Sequence, residues 1–446
     1  MIREATGDTR RIHRTPYGHP RGGELAGASG YHRRPFGALI DVASKVKRVL
    51  IIVQNLPVPF DRRVWLECQA LVSAGYRVAV VCPKGKDDPA YAVLDTVELY
   101  KYKPYAPGGS KLSFIAEYVY SFAATAWHTL KARRKGRFAV IQACNPPDIF
   151  WPIGLAFRII DRTKFVFDHH DLCPELFLSR FPGGPKLPHR GLLALERRTH
   201  RTADHVISTN ESYREIAVNR SGKNPGDVTV VRTGPDPVKL QRGPEDPELR
   251  RGRRYLVAYI GVMGPQDGVD IVVRAADVVV HEMGRKDIAF TVIGAGDCFD
   301  ELVALRDELR LNGDVEFTGR APDELVKRIL STADIGLSPD PKNPLNDVST
   351  MNKTMEYMAF ELPVVAFDLR ETRVSADAAA VYVEPNSVPK YAKAIVDLID
   401  DEAARAQLGK FGRARVEDEL AWSHQERAYL GVYEQLTGGP GAKARK

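Results

Sequence analysis

Cysteine is scarce and scattered. The five residues Cys68, Cys82, Cys144, Cys173 and Cys298 stand far apart, with no Cys-x-x-Cys pair among them. This argues against a disulfide framework or a cysteine-based zinc site and fits reduced thiols. No apolar run reaches the roughly 18–20 residues that a membrane span needs. The arginine-, glycine- and histidine-rich beginning lacks the apolar centre of a secretory signal. No Gly-x-Gly-x-x-Gly follows the first apolar strand pattern, which argues against a dinucleotide fingerprint. A basic field over the whole protein is missing too. The net charge is +7, but residues 1–40 hold seven arginines against three acids, and residues 437–446 hold Lys443, Arg445 and Lys446 with no acid. The body between these tails is neutral, so nucleic acid is not an expected partner.

What is present describes a globular protein of two to three domains' worth of chain. It has 446 residues, 44% hydrophobic and 27% charged, enough to bury sizeable cores. Short apolar runs alternate with helix-period segments, which predicts an α/β protein of doubly wound parallel sheets. Val49–Val53, a helix begun by Asp61 and ended by Gly75, and Arg77–Cys82 make a first βαβ unit. Further strands are expected at Phe138–Gln142, Lys164–Phe167, His205–Thr209 and Val228–Thr233. The second array is expected to use Tyr255–Ile260, Ala289–Ile293, Val315–Phe317, Ile335–Ser338 and Val364–Phe367. Residues 1–47 read as a disordered basic leader, 48–234 as the first domain, and 235–254 as a linker rich in Pro, Arg and Glu. Residues 255–415 read as the second domain, 416–436 as a crossover helix, and 437–446 as a basic tail.

The most informative stretch is Pro344–Asp368, PLNDVSTMNKTMEYMAFELPVVAFD. Asn346, Asp347, Ser349 and Thr350 are residue types that cap a helix, and Met351, Met355 and Met358 are spaced for one buried face. Pro363 stops the helix, and Val364–Phe367 suits an interior parallel strand. A helix start with Ser349, Thr350 and Lys353 attracts phosphate. Glu356, one turn further on, is placed to accept hydrogen bonds from a ribose diol. An ordinary amphipathic helix with a surface Lys–Glu pair explains the spacing equally well.

The motif decides between them by resemblance. Glu356-Tyr-Met-Ala-Phe-Glu-Leu-Pro-Val-Val-Ala366 resembles the nucleotide-sugar site of retaining family-4 glycosyltransferases of the GT-B type. The likeness extends over nearly all of residues 48–436. It implies two Rossmann-like domains facing a cleft, the first on the acceptor side and the second binding the donor, joined by a C-terminal crossover helix. It also implies that Glu356 grips the donor ribose. Two departures stand out. The family's first glutamate, eight positions earlier, is replaced by Val348. In the loop after Ile260 the family's two cations are replaced by Val262 and Asp267, and Lys353, Arg232 or Arg320 is left to supply the charge. Gly264 in that loop, Gly296 in the turn Gly294–Asp297, and Gly319 with Arg320 at the base-binding edge complete the expected donor side.

On the acceptor side, Arg62 and Arg63 sit where the first loop meets its helix, as an anion-facing pair or a solvated one. Asp168-His-His-Asp171 lies at a strand's carboxyl end, where doubly wound sheets bind ligands. A His–Asp pair orienting a substrate hydroxyl is expected there rather than a metal. The resemblance puts His170 with Asp171 against the donor sugar and Glu175 toward the acceptor. Leu112–Leu130, followed by a basic run, reads as a helix packed on the sheet or as an interfacial membrane helix.

The function expected is transfer of a hexose from a nucleotide-diphosphate sugar to a glycan or lipid-linked acceptor, with retention, for cell-surface polysaccharide or glycolipid synthesis. No cofactor or metal is expected. The location expected is cytoplasmic, free or peripheral on an anionic membrane face. A nucleotide-sugar 2-epimerase and a catalytically weak binding scaffold are the alternatives.

Overall fold

The computed structural model describes residues 46–105, 111–181 and 183–441, the side chains of 111–115 excepted. The basic leader up to residue 45 and the tail beyond residue 441 lie outside the described residues. Two sheets carry the structure. The first has eight strands: β1 (Arg48–Ile52), β2 (Arg77–Pro83), β3 (Tyr91–Leu94), β4 (Val97–Tyr102), β5 (Val140–Cys144), β6 (Lys164–His169), β7 (His205–Ser208) and β8 (Val228–Val230). They lie in the order β3-β4-β2-β1-β5-β6-β7-β8. The second has β9 (Tyr255–Ile260), β10 (Ile288–Ile293), β11 (Val315–Gly319), β12 (Ile335–Ser338), β13 (Val364–Phe367) and β14 (Ala380–Val383), in the order β11-β10-β9-β12-β13-β14.

All pairings are parallel except β3 with β4. Strands such as β1 and β13 are buried at every residue, because helices cover both faces of a parallel sheet and leave no polar side. The chirality of βα crossovers then fixes where ligands meet each sheet, at the carboxyl edge where strand order reverses. In the first sheet that point lies between β1 and β5, and in the second between β9 and β12.

The β3–β4 hairpin was not expected. Its turn residues Asp95 and Thr96 both take positive φ, 45° and 69°. A two-residue hairpin turn needs that geometry, but Asp-Thr lacks the glycine that normally announces it. Because β4 pairs in parallel with β2, the hairpin extends the sheet by two strands.

The last helix, Trp422–Thr437, buries Trp422, Tyr429, Val432 and Tyr433 among Val49, Val64, Cys68 and Val80 of the first sheet's layer. The chain thus passes between the sheets twice. The crossings lie side by side: Trp422 donates its backbone N–H to Pro235 (3.1 Å), and Arg413 donates to the carbonyls of Pro237, Leu240 and Ala359. At the far end Lys47 donates its backbone N–H to Pro440 and its ammonium to Gly439. No helix among the described residues is long and apolar enough to cross a membrane.

Candidate active site

The helix Asn352–Ala359 is fastened by its underside. Tyr357 lies across Gly336 of β12, where an added Cβ would stand 2.4 Å from the ring. The tyrosine hydroxyl donates to the Leu337 carbonyl and accepts from Ile260 N–H, tying the helix to β12 and β9. Met355 and Met358 are fully buried, and Met351 packs at the margin of the core. The expected polar caps are not caps. Met351 occupies the N-cap position with no side-chain hydrogen bond, because Ser349 and Thr350 are drawn toward the other domain. Ser349 Oγ meets Tyr213 Oη at 2.9 Å, and Thr350 Oγ1 accepts from Asn210 (3.0 Å).

With its underside held, the helix turns Glu356 toward the first domain. Its carboxylate is about a quarter exposed and lies 3.7 Å from Arg62 Nη1. Arg62 also bridges to Asp323 (2.9 Å). Burial pushes the Glu356 carboxyl up, Arg62 opposes this, and Asp323 adds to it. Beside this pair Arg320 stacks over the Phe60 ring at 4.9 Å. This wall of the cleft is therefore made by Phe60 and Arg62 from one domain and Arg320, Asp323 and Glu356 from the other.

Lys353 takes a different course. Its ammonium lies 2.5 Å from Asp340 Oδ1 and 5.0 Å from the centre of the Tyr259 ring, and its chain passes the Gly261 backbone. Burial depresses this lysine, but Asp340 and Asp267 more than offset it and its pKa is raised. Asp267, which accepts from Gly264 N–H (2.8 Å), is pushed up to about 6 by burial against the pull of Lys353. A lysine from the helix thus stands against the very loop that lacks its own cations. Val262 in that loop is 62% exposed.

The neighbouring glycines serve the backbone. Gly294, at φ 136°, would drive a Cβ to 1.9 Å from the Gly261 carbonyl oxygen, and Gly296 packs on the Met263 backbone. The two loops are pressed together, so Gly296 acts on Met263 before any ligand, whereas Gly319 faces open space.

A second bridge between domains surrounds Val348. Leu345 and Val348 pack with Leu172, Leu176 and Tyr213. Asn210 donates to the Val348 carbonyl (2.9 Å), and Ser212 to Glu371 (2.6 Å). Arg232 joins this set through Glu371 and Thr350, both at 3.4 Å. Arg232 is therefore committed to the domain contact. The position of the missing glutamate is an apolar seat.

On the first sheet's edge, two expectations need correction, the partner of His170 and the setting of Arg63. His170 pairs with Asp168, not Asp171: its Nε2 lies 2.6 Å from Asp168 Oδ2. Asp171 is instead held by its backbone, which Asn145 grips at both N–H and C=O, and burial pushes its carboxyl up. Arg63 faces no ligand, being buried and forked onto Asp168 (2.9 Å). Glu175 is held by Arg220, which also clamps the buried Glu196. His169 is a core residue stacked on Phe167, edge-on to His200 and tilted against Tyr213. Burial, first of all, holds it well below the usual histidine range.

Cys144, Asp168 and His170 bring metal-capable atoms within 4.8 Å of one another. The Arg63 guanidinium already lies against both Asp168 and His170, so a second cation would meet it at close range. The donor set does not fit a resident metal.

Residues missed from sequence include Asp340, Asp323, Phe60, Glu371 and Asn210. Asp340 acts through Lys353 on the helix that follows it, and the other four through partners in the other domain, which spacing does not disclose.

The sequence family described as Glycosyltransferase Family 4 matches residues 61–239, and that described as Glycosyl transferases group 1 matches residues 254–401. Between them they take in both domains. The chain belongs to the GT-B glycosyltransferases. It is 23% identical over 263 residues to a 2-deoxystreptamine glucosyltransferase from Streptomyces kanamyceticus, a match that covers 57% of this chain and 66% of that one. Sucrose-phosphate synthase from Thermosynechococcus elongatus shares its fold with a TM-score of 0.72 at 17% identity, over 88% of this chain and 99% of that one. Anabaena Alr3699/HepE, solved in complex with UDP-glucose, superposes with a TM-score of 0.62 at 17% identity, over 88% and 99% of the two chains. These likenesses give a GT-B glycosyltransferase its architecture. Substrates must be read from its own side chains.

Proposed function

We propose that this GT-B glycosyltransferase moves a hexose from a nucleoside-diphosphate sugar to a hydroxyl of a glycan or lipid-linked acceptor, with retention and without a metal ion. The observation that carries the reading is Glu356, a carboxylate fixed at the carboxyl edge of the donor-side sheet and turned into the cleft. It is placed to accept from the ribose hydroxyls. Lys353, lodged against the loop after β9, supplies the positive charge that Val262 and Asp267 do not. His170 faces the sugar from the first domain, where the family's absent glutamate would have helped. In the reaction the anomeric C–O bond to the β-phosphate breaks and the acceptor oxygen bonds to the same face. The acceptor proton passes to the departing phosphate. A stabilised leaving group and an aligned acceptor supply the rate. The UDP-glucose bound by the structural relative HepE supports a nucleotide-sugar donor.

Thermal stabilisation by UDP, GDP, ADP, dTDP and CMP tests the donor site. A ligand at a hundred times its dissociation constant adds about 2.7 kcal/mol. One nucleoside diphosphate is expected to raise the wild-type melting temperature, and Glu356→Ala to abolish the rise. If none stabilises the folded wild type, the scaffold reading, which the apolar seat at Val348 favours, replaces this one.

Membrane-face acceptors are supported by one surface. Trp127 and Leu130 on the helix Lys111–Arg133, and Ile159 and Ile160 on the neighbouring helix Trp151–Asp161, are 52–76% exposed. The two helices touch through Phe122 on Phe150 and Arg133 on Asp161. Exposed Lys131, Arg134, Arg162 and Lys164 lie at their ends. Apolar side chains beside basic ones suit an anionic lipid surface. Wild type should co-sediment with phosphatidylserine vesicles, and Trp127→Glu with Ile159→Glu should weaken this about tenfold. Equal sedimentation of the two proteins would remove the membrane from the proposal.

A further inference from the structure

A hydrogen-bonded chain runs from the last helix to the imidazole that the proposed function places against the sugar. Tyr429 and Tyr433, one turn apart on that helix, both donate to Gln142 Oε1, Tyr429 at 3.0 Å. The other end of the same amide donates to Glu67 Oε2 (2.7 Å) and to Asp168 Oδ2 (3.2 Å). Asp168 Oδ2 in turn faces His170 Nε2 at 2.6 Å. Glu67, Gln142, Asp168, Tyr429 and Tyr433 are completely buried, so no water competes for these bonds. The Asp168 carboxylate, which can only accept, fixes which way the Gln142 amide points and leaves its oxygen to the two tyrosine hydroxyls. Its NH2 must then face the two carboxylates.

The carboxylates are not equivalent. Arg63 forks onto Asp168 with Nη2 at 2.9 Å and reaches Glu67 Oε1 with Nε at 3.1 Å. Burial acts to raise Asp168, yet Arg63 and His170 hold it far below the usual carboxylate range. Burial and the Asp168 charge push Glu67 well above that range. Burial and mutual repulsion thus bias this pair toward a charge on Asp168 and a proton on Glu67, with Arg63 opposing the rise of Glu67. Arg63 Nε also lies 2.8 Å from His170 Nε2. One ring nitrogen cannot accept there and donate to Asp168 together, and Asp168 Oδ2, 3.4 Å from Arg63 Nε, gives that N–H another acceptor. The Nε2–H bond to Asp168 is the consistent assignment. It leaves Nδ1 as a lone-pair acceptor, and that nitrogen has no protein partner among the described residues. His170 is 16% exposed, and Leu172, two residues on, already touches Leu345 of the other domain.

We infer that Glu67, Gln142 and the Tyr429–Tyr433 pair are positioning residues that hold Asp168 so that His170 presents Nδ1 to the cleft as a hydrogen-bond acceptor. This rests on the proposed glycosyl transfer for its consequence, though not for its geometry. The last helix follows directly on the second domain's crossing at Leu420–Trp422. The site's imidazole is thereby tied to the segment that joins the domains.

The test separates the inference from the donor reading. Nitrogen-15 histidine spectra of the nucleotide-free protein report the His170 tautomer, assigned with His170→Asn. Wild type should show a single Nε2–H form. Gln142→Leu should convert it to a mixture and lower kcat about tenfold, the value of one charge-assisted hydrogen bond, while the melting shift given by the nucleoside diphosphate stays unchanged. Glu67→Gln, which keeps a donor toward Asp168 and an acceptor toward Gln142, should retain both tautomer and kcat, whereas Glu67→Ala should lose both. Should Gln142→Leu fail to fold, Tyr433→Phe with Tyr429→Phe removes the same anchor at smaller cost and carries the same expectation. An unchanged His170 spectrum in folded Gln142→Leu, or in the double tyrosine variant measured in its place, overturns the inference. Loss of nucleotide stabilisation in the wild type would instead overturn the donor reading.

Discussion

Replacing Arg63 with methionine will destabilise the protein by about 3–5 kcal/mol at pH 8, the cost of stranding a buried charge. Arg63 is 6% exposed, and its partners Glu67 and Asp168 are not exposed at all. Asp168 is held far below the usual carboxylate range because Arg63 and His170 overcome its burial. A depressed folded pKa contributes stability that is present above the unfolded value, about 4, and is lost as pH falls below it. Without Arg63 the balance reverses. Burial then raises Asp168, the folded state takes up a proton more readily than the unfolded chain, and the variant's deficit shrinks from pH 8 toward pH 5. Urea unfolding with an unchanged m-value measures this directly. Adding Asp168→Asn to Arg63→Met should recover more than about 1 kcal/mol, since contacting groups couple. A pH-independent loss would show that Arg63 acts by packing alone.

Lys353→Met carries the second large effect. If this ammonium is the replacement for the loop's missing cations, its loss should weaken nucleoside-diphosphate binding about 10- to 100-fold. That is the value of a charge-assisted hydrogen bond of roughly 1.5–3 kcal/mol. The variant also strands Asp340, which is 1% exposed and otherwise bonded to Ser338 (2.6 Å). Asp340→Asn added to Lys353→Met should therefore restore thermal stability while leaving nucleotide affinity low. Calorimetric titration with the nucleoside diphosphate that stabilises wild type separates the two. If affinity is unchanged in the folded double variant, Lys353 serves only Asp340. Arg320, exposed above Phe60, is then the cation to test.

Much of the frame was legible in local sequence. Tyr255–Ile260, Ile335–Ser338 and Val364–Phe367 are strands with the expected bounds, because a parallel strand buried on both faces is an unbroken apolar run. Asp61 does cap its helix, accepting from Val64 N–H at 3.1 Å, since capping is settled within three residues. The β3–β4 hairpin escaped because its left-handed turn is built from Asp95 and Thr96 instead of glycine. Ser349 and Thr350 misled for the opposite reason. They have the chemistry of caps, but partners 136 and 140 positions away in sequence compete for their hydroxyls.

The sequence by itself determined two parallel sheets, the strand that ends in His170, and the helix that bears Glu356. Each follows from hydrophobic period and short-range capping. Only the tertiary structure decided that Asp168 rather than Asp171 partners His170, that Arg63 is sealed inside, and that Lys353 stands against the loop without cations. Those outcomes depend on which charges meet once water is excluded, and ion pairing in a buried site is set by distance across the fold rather than by position along the chain.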